Sequence, residues 1–340
     1  MAPKAPWFWY QPQLRLPAAL LLPLSWLYGL GLWLDRRFTR PLRVSVPVIS
    51  IGNLTLGGTG KTPLVIGLAR ALQQRGLAVA VLLRGYGAKR RQPQLVTPGS
   101  RYADVGDEAL ELAHQLPGVQ VWAGSNRRQG ARLAIDHGAT VLLLDDGLQH
   151  WALARDLDVS VLDRAHGLGN AQLFPAGPLR EPSSQLARAD VLVLTASAAA
   201  ASAAPGSAGS GPAPVLPWPA AKPSFELQFA LDLPPAVRGR PLVAFCGIGL
   251  PQKFFDALMA AGLQLVAQKS FPDHHPYAEA EMAQLLTLAQ AQGALLVTTV
   301  KDAQRLPAPY RSQVVPIPLA LPPQTLDPLM PLLLARIGHG

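Results

Sequence analysis

The stretch from Thr55 to Thr62, Thr-Leu-Gly-Gly-Thr-Gly-Lys-Thr, carries the chemistry that is easiest to name. A glycine-rich turn opening a helix presents free backbone N–H groups and the positive end of the helix dipole, which together hold phosphate. In that setting Lys61 reaches the β- and γ-phosphates of a nucleoside triphosphate and the Thr62 hydroxyl takes Mg²⁺. The strict pattern has glycine where this chain has Thr55. Gly57, Gly58 and Gly60 still let the backbone approach a phosphate, with Leu56 and Thr59 completing the loop. About 85 residues on, Asp145 and Asp146 close an apolar run within Thr140–His150. A P-loop enzyme uses such an aspartate to hold the Mg²⁺ that also binds the loop hydroxyl. Adjacent carboxylates point in different directions, so one suits metal and the other water or substrate. Without the loop, Asp-Asp-Gly is an ordinary turn.

Other candidates carry weaker signals. Asp107 begins a helical pattern, and on the residues alone a first-turn acid favoured by the helix dipole is the better reading. His274 and His275 sit in Phe271–Tyr277 beside Asp273. They suit a metal, a base or orienting partner, or a plain polar loop, and no third ligand is adjacent. Arg84, Arg127 and Arg128 suit an anionic substrate, or in the last two a solvated helix face. No Asn-Lys-x-Asp guanine signature occurs, which favours an ATP-using kinase or ligase over a GTP switch.

These residues need a scaffold. Val46–Ile51 reads as a strand and Pro63–Leu72 as a helix with proline in its first turn. Strands at Leu77–Gly87, Gly118–Gly124 and Thr140–His150 alternate with helical patterns and are nearly continuously apolar. That is the mark of a parallel sheet covered on both faces. Ala196–Pro219 is rich in Ala, Ser, Gly and Pro and reads as a linker or surface excursion. Ser224–Leu233 alternates like a hairpin arm, and a second β-α-β rhythm follows from about Pro234. The expected organisation is a segment at 1–45, a core lobe at 46–198, a linker and hinge strand at 199–233 and a smaller α/β lobe at 234–340. A cleft between lobes is the expected substrate site.

The 340 residues allow two domains, and the single cysteine, Cys246, excludes an internal disulfide. The net charge of +9 is unevenly placed. Lys4, Arg15, Arg36, Arg37, Arg40 and Arg43 face only Asp35 within residues 1–45. This clustering beside an apolar run suits anionic lipid headgroups better than nucleic acid. Leu16–Leu34 carries no charge and as a helix is about 28 Å long, just enough to cross a bilayer core. Trp7, Trp9, Trp26 and Trp33 gather here as interfacial belts do, whereas Pro23 argues against a simple span. A membrane anchor is expected, spanning or interfacial, with the remainder cytoplasmic because the arginines follow it.

In order along the chain, "GNLTLGGTGKTP", "RGYG", "GDEALELA", "DDGLQH", "FPAGPLREP", "FPDHHPY" and "TTVKDAQRL" resemble the tetraacyldisaccharide 4′-kinase family of lipid A biosynthesis in Gram-negative bacteria. The resemblance spans nearly the whole chain. It implies a P-loop NTPase-type parallel-sheet lobe, a smaller α/β lobe, a β-ribbon hinge and an N-terminal membrane-associated helix. It implies ATP- and Mg²⁺-dependent phosphorylation of a lipid-linked disaccharide 1-phosphate at the cytoplasmic face of the inner membrane; separately, a monomer is expected. By matching motif, Lys61 becomes a catalytic cation, Thr62, Asp145 and Asp146 the metal ligands, and Asp107 the base, supported by His274. Closure of the lobes would then bring Asp107 and His274 together. The chain departs at Val300, where glutamate is expected, at Leu148 for phenylalanine and at Ala88 for glycine. A membrane-bound P-loop ATPase driving partner assembly is the alternative. A cytosolic ligase would leave the N-terminal segment unexplained.

Overall fold

The computed structural model describes residues 6–11, 13, 15–85, 92–197 and 216–338. Tyr86 and Gly87 of the Arg-Gly-Tyr-Gly motif, Ala88 after it, and most of the expected linker lie outside the described residues. The chain is α/β and forms two compact units. The larger holds the described parts of 6–196 and 216–227 together with 323–338, and the smaller holds Gln228–Pro322.

In the larger unit, helix α1 (Leu16–Phe38) precedes β1 (Val48–Gly52), α2 (Lys61–Gln73) and β2 (Val79–Leu83). Then come β3 (Gln94–Leu95), α3 (Tyr102–Val105), α4 (Asp107–Gln115), β4 (Gln120–Ala123) and α5 (Arg127–Asp136). The strands β5 (Val141–Asp145), β6 (Leu157–Asp163) and β7 (Val191–Ser197) follow. Within a nine-stranded sheet of the described residues these strands take the order β7-β6-β1-β5-β2-β4-β3, parallel to one another except for the two-residue edge strand β3. Every residue of β1, β2 and β5 is buried, as strands covered on both faces require. Because β1 pairs directly with β5, Ile51 lies opposite Asp145. The glycine loop and the acid pair therefore leave adjacent strands at the same end of the sheet.

Strand β8 (Ser224–Leu231) begins in the larger unit and ends in the smaller. There Leu231 and Ala230 pair antiparallel with Leu319 and Ala320 of β13 (Leu319–Ala320), far along the chain. The smaller unit also contains β9 (Leu242–Cys246), α6 (Pro251–Ala260), β10 (Leu265–Ser270), α7 (Glu279–Ala291), β11 (Leu295–Thr299), α8 (Val300–Ala303) and β12 (Val315–Ile317). Its four-stranded sheet, β10-β9-β11-β12, is wholly parallel. The last helix, α9 (Met330–Ile337), differs from the expectation that 234–340 form one lobe. Its stripe of Met330, Leu333 and Ile337 is buried, and the segment from Pro323 on belongs to the larger unit.

Helix α1 is long and apolar enough to cross a membrane. One face is nonetheless docked on its own unit. Ser25 Oγ donates to the Leu173 carbonyl at 2.9 Å and accepts from Ala176 N at 3.0 Å, and Tyr28 Oη donates to the Arg180 carbonyl at 3.1 Å. Ala18 and Ser25, two turns apart, are buried on this face. The opposite face exposes Leu20, Leu24, Trp26, Leu27, Leu30, Trp33 and Leu34.

Candidate active site

The glycine loop is built as a cradle. Gly57 (φ 114°) and Gly60 (φ 84°) take left-handed conformations that a side chain would strain, and Gly60 caps α2. Thr55 and Leu56 do less for a phosphate than their place in the motif suggests. Thr55 bridges Leu179, Leu56 N donates to the Pro178 carbonyl, and the Leu56 side chain packs on the Phe8–Trp9–Ala18 cluster. The first part of the loop is thus tied to the same segment that receives α1.

Lys61 opens α2 and turns its ammonium toward Asn53 Oδ1 at 3.0 Å and Asp146 Oδ1 at 3.5 Å. Asn53, fully buried, also donates to Thr59 Oγ1 at 3.1 Å, so one amide orients both the lysine and the loop. Gln149 supports it in turn, donating to the Asn53 carbonyl and to Glu181. Asp146 lies in the left-handed region (φ 54°) and is held bidentately by an Arg180 nitrogen at 2.8 and 2.6 Å. Burial works to raise the Asp146 carboxyl, but Lys61 and Arg180 outweigh it and hold it well below the usual carboxylate range.

Asp145 stands in contrast. Its side chain is buried, and among the described residues no donor hydrogen-bonds its carboxylate. Burial, reinforced by the charge of Glu108, pushes it up to about 7 against the pull of Lys61. A carboxylate raised by burial and by the neighbouring charges of Glu108 and Asp146 fits a hard cation such as Mg²⁺. The environment therefore splits a pair that sequence treated alike: Asp146 is committed to Arg180 and Lys61, and Asp145 is not.

The raised value has a measurable consequence. The unfolded chain releases the Asp145 proton near 3.8, the folded one near 7, so stability falls as pH rises through that window and is level above it. Asp145→Asn removes this loss. In metal-free buffer the variant should melt above the parent at pH 8, by an amount worth up to about 4 kcal/mol, and the difference should vanish near pH 4. An offset independent of pH would show that Asp145 is not a strained acid.

Arg127 and Arg128 do not share a solvated face: Arg127 is buried and Arg128 is exposed. Buried Arg127 donates to the carbonyls of Asp145 and Asp146 at 2.8 and 2.9 Å, latching the acid turn. Arg128 donates to the carbonyls of Ala152 and Arg40. With Arg40, Asn126 and His150 they line a cavity of about 540 Å³ at the end of α1. Burial, then Arg127 and its neighbouring arginines, push His150 down to about 3.

Asp107 is the first residue of α4, 4% exposed, and its Oδ1 accepts from Glu108 N at 3.0 Å. In the smaller unit, His274 has φ 58° and its N–H donates to the Gly247 carbonyl at 3.2 Å. Its Nε2 lies 3.4 Å from Lys301 Nζ. His275 instead pairs with Glu281 at 2.8 Å and stacks on Phe271. Among the described residues no three His, Cys, Asp or Glu side chains gather to hold a metal, so the two histidines do not make such a centre. Asn53 and Arg180 escaped the reading of the residues, because an amide after a strand and an arginine in an irregular loop carry no pattern of their own.

A parallel sheet whose Gly-Lys-Thr loop opens a helix beside an acid-ended neighbouring strand defines a P-loop nucleoside-triphosphate enzyme. The family profile of tetraacyldisaccharide-1-P 4′-kinase matches residues 17–335. A tetraacyldisaccharide 4′-kinase of Bradyrhizobium sp. is 44% identical over 89% of this chain and 85% of its own. That of Rhodospirillum centenum is 42% identical over 99% of both. A crystal structure of LpxK from Aquifex aeolicus in complex with ATP aligns with TM-score 0.73 and 29% identity, covering 95% of this chain and 100% of that one. The chain belongs to the tetraacyldisaccharide 4′-kinase family.

Proposed function

We propose that the protein transfers the γ-phosphate of ATP to the 4′-hydroxyl of a tetraacyldisaccharide 1-phosphate. The observation that carries this is Lys61, aimed by Asn53 at the mouth of the glycine loop beside Asp145 and Asp146, in a chain that matches the kinase family over residues 17–335. Phosphoryl transfer asks for alignment and charge stabilisation more than covalent chemistry. The loop from Thr55 to Thr62 holds the phosphates and Lys61 neutralises charge on the β/γ oxygens. Thr62 and Asp145 would hold Mg²⁺, with Asp146 ordering Lys61 and Arg180 around it; the ion supplies further neutralisation of the phosphates when bound. Asp107 takes the hydroxyl proton, and His274 assists.

The protein works on the cytoplasmic face of the inner membrane, with α1 lying in the anionic interface, its inner face on Leu173–Arg180 and its outer face in lipid. It acts as a monomer and needs no nucleic acid. The Trp26→Glu/Leu27→Glu double variant changes only exposed positions. It should stay folded yet partition to membranes roughly tenfold less or lower, since each buried apolar side chain contributes about 1.5–3 kcal/mol. Undiminished membrane recovery would assign the anchor to another surface.

The function is tested with γ-labelled ATP and purified tetraacyldisaccharide 1-phosphate in mixed micelles. Label should enter the lipid. Release of labelled phosphate at a rate indifferent to the lipid would instead identify an ATPase.

A further inference from the structure

The fully buried carboxylate of Asp302 gathers donors from the ends of three neighbouring strands. Its Oδ1 accepts from Gly247 N at 2.9 Å, Tyr277 Oη at 2.8 Å and Arg305 at 2.7 Å, and its Oδ2 accepts from Thr299 Oγ1 at 2.6 Å. Gly247 follows β9, Tyr277 lies in the loop after β10, and Thr299 ends β11. Arg305 returns to the same loops, donating to the carbonyls of His275 and Gly247, each at 3.1 Å. The approach is close: a Cβ on Gly247 would stand 2.8 Å from the Pro272 carbonyl and 3.2 Å from Asp302 Oδ1.

A buried ion pair is weak evidence for stability, because desolvation offsets much of the attraction. What this one supplies is geometry, at the carboxyl ends of parallel strands where α/β sheets present ligand contacts. The residue it fixes is His274, whose left-handed backbone costs about 1–2 kcal/mol for a side chain of its kind. The His274 N–H donates to the carbonyl of Gly247, whose own N–H is held by Asp302. The imidazole faces Lys301, the residue before Asp302.

We propose that Asp302 is a positioning residue for phosphoryl transfer: through Gly247 and Tyr277 it holds the His274 loop in its strained conformation and so aims the imidazole. This rests on the reading above that His274 takes part in the reaction. Asp302→Asn keeps the shape and an oxygen for Gly247 and Tyr277 but loses the charge pair with Arg305. It should lower kcat about tenfold or more, as small misplacements of reacting groups do, with KM for ATP essentially unchanged.

The decisive measurement is a kinetic cycle of Asp302→Asn, His274→Ala and the double variant, alongside thermal melts. If Asp302 acts through the imidazole, the double variant is no slower than His274→Ala alone. Normal kcat in Asp302→Asn, or losses that multiply in the double variant, would overturn the proposal. Full kcat in His274→Ala would remove the underlying reading as well, and that single variant separates the two failures. Should Asp302→Asn not fold, Tyr277→Phe withdraws one donor while keeping the ring against Phe245 and Phe271, and must show a smaller kcat loss of the same kind.

Discussion

Replacing Lys61 by alanine should leave a folded protein that transfers phosphate at least ~10²–10³ times more slowly. The ammonium lies among Asn53 Oδ1, Asp146 and the loop that would hold the phosphates, so it is a charge already aimed where charge develops. The fold does not depend on it. Asp146 retains Arg180, Asn53 retains Thr59, and the helix behind Lys61 is held by Leu64, Val65, Leu68 and Leu72, all fully buried. The test pairs a melting curve with initial rates of label transfer. A folded Lys61→Ala protein with unchanged kcat would take the glycine loop out of the mechanism.

The second large effect is expected at Asp107, where two readings of one carboxylate separate cleanly. As the first residue of α4 it accepts from Glu108 N, which is what a helix-start acid does for stability. As a base it must take a proton from a sugar hydroxyl, a contribution of typically 10²–10⁴-fold. Asp107→Asn keeps an oxygen for the Glu108 N–H and removes the proton acceptor. Its melting temperature should move little, its KM for ATP should hold, and its kcat should fall by about 10²–10⁴. Near-normal turnover in Asp107→Asn, with loss of stability in Asp107→Ala, would return the residue to a structural role.

Much of the site could be read before any coordinates. Thr55–Thr62 sits between a β-branched strand and a helix that admits proline at its start, and that context gives Gly-Lys-Thr its meaning. The acid pair closes an apolar run, as the end of a buried parallel strand must. The smaller unit was legible as a second β-α-β rhythm, but β12 and β13 were not. They are three and two residues long, with Pro316 inside the first and Pro318 between them, too short for any period to show. The C-terminal helix was also missed as part of the larger unit, because an apolar stripe declares that a face is buried and not which surface buries it.

The sequence by itself determined the chemistry on offer: a phosphate cradle, its lysine and hydroxyl, a carboxylate pair, and an apolar, tryptophan-bearing segment with arginines behind it. These follow from residue type and local spacing, which dihedral preferences and periodicity translate directly into strand, loop and helix. Only the tertiary structure decided how the acids divide their work. Asp145 and Asp146 are neighbours with the same side chain, yet one is buried without a donor and the other is clasped by Arg180 and Lys61. Only the tertiary structure, too, placed Asn53 against Lys61, docked one face of α1 on Leu173–Arg180, and tied the strand ends around Asp302. Such partners lie far apart in the chain and share no period. The energy of a buried charge is set by which groups surround it in space, and that is known only once the strands have found their neighbours.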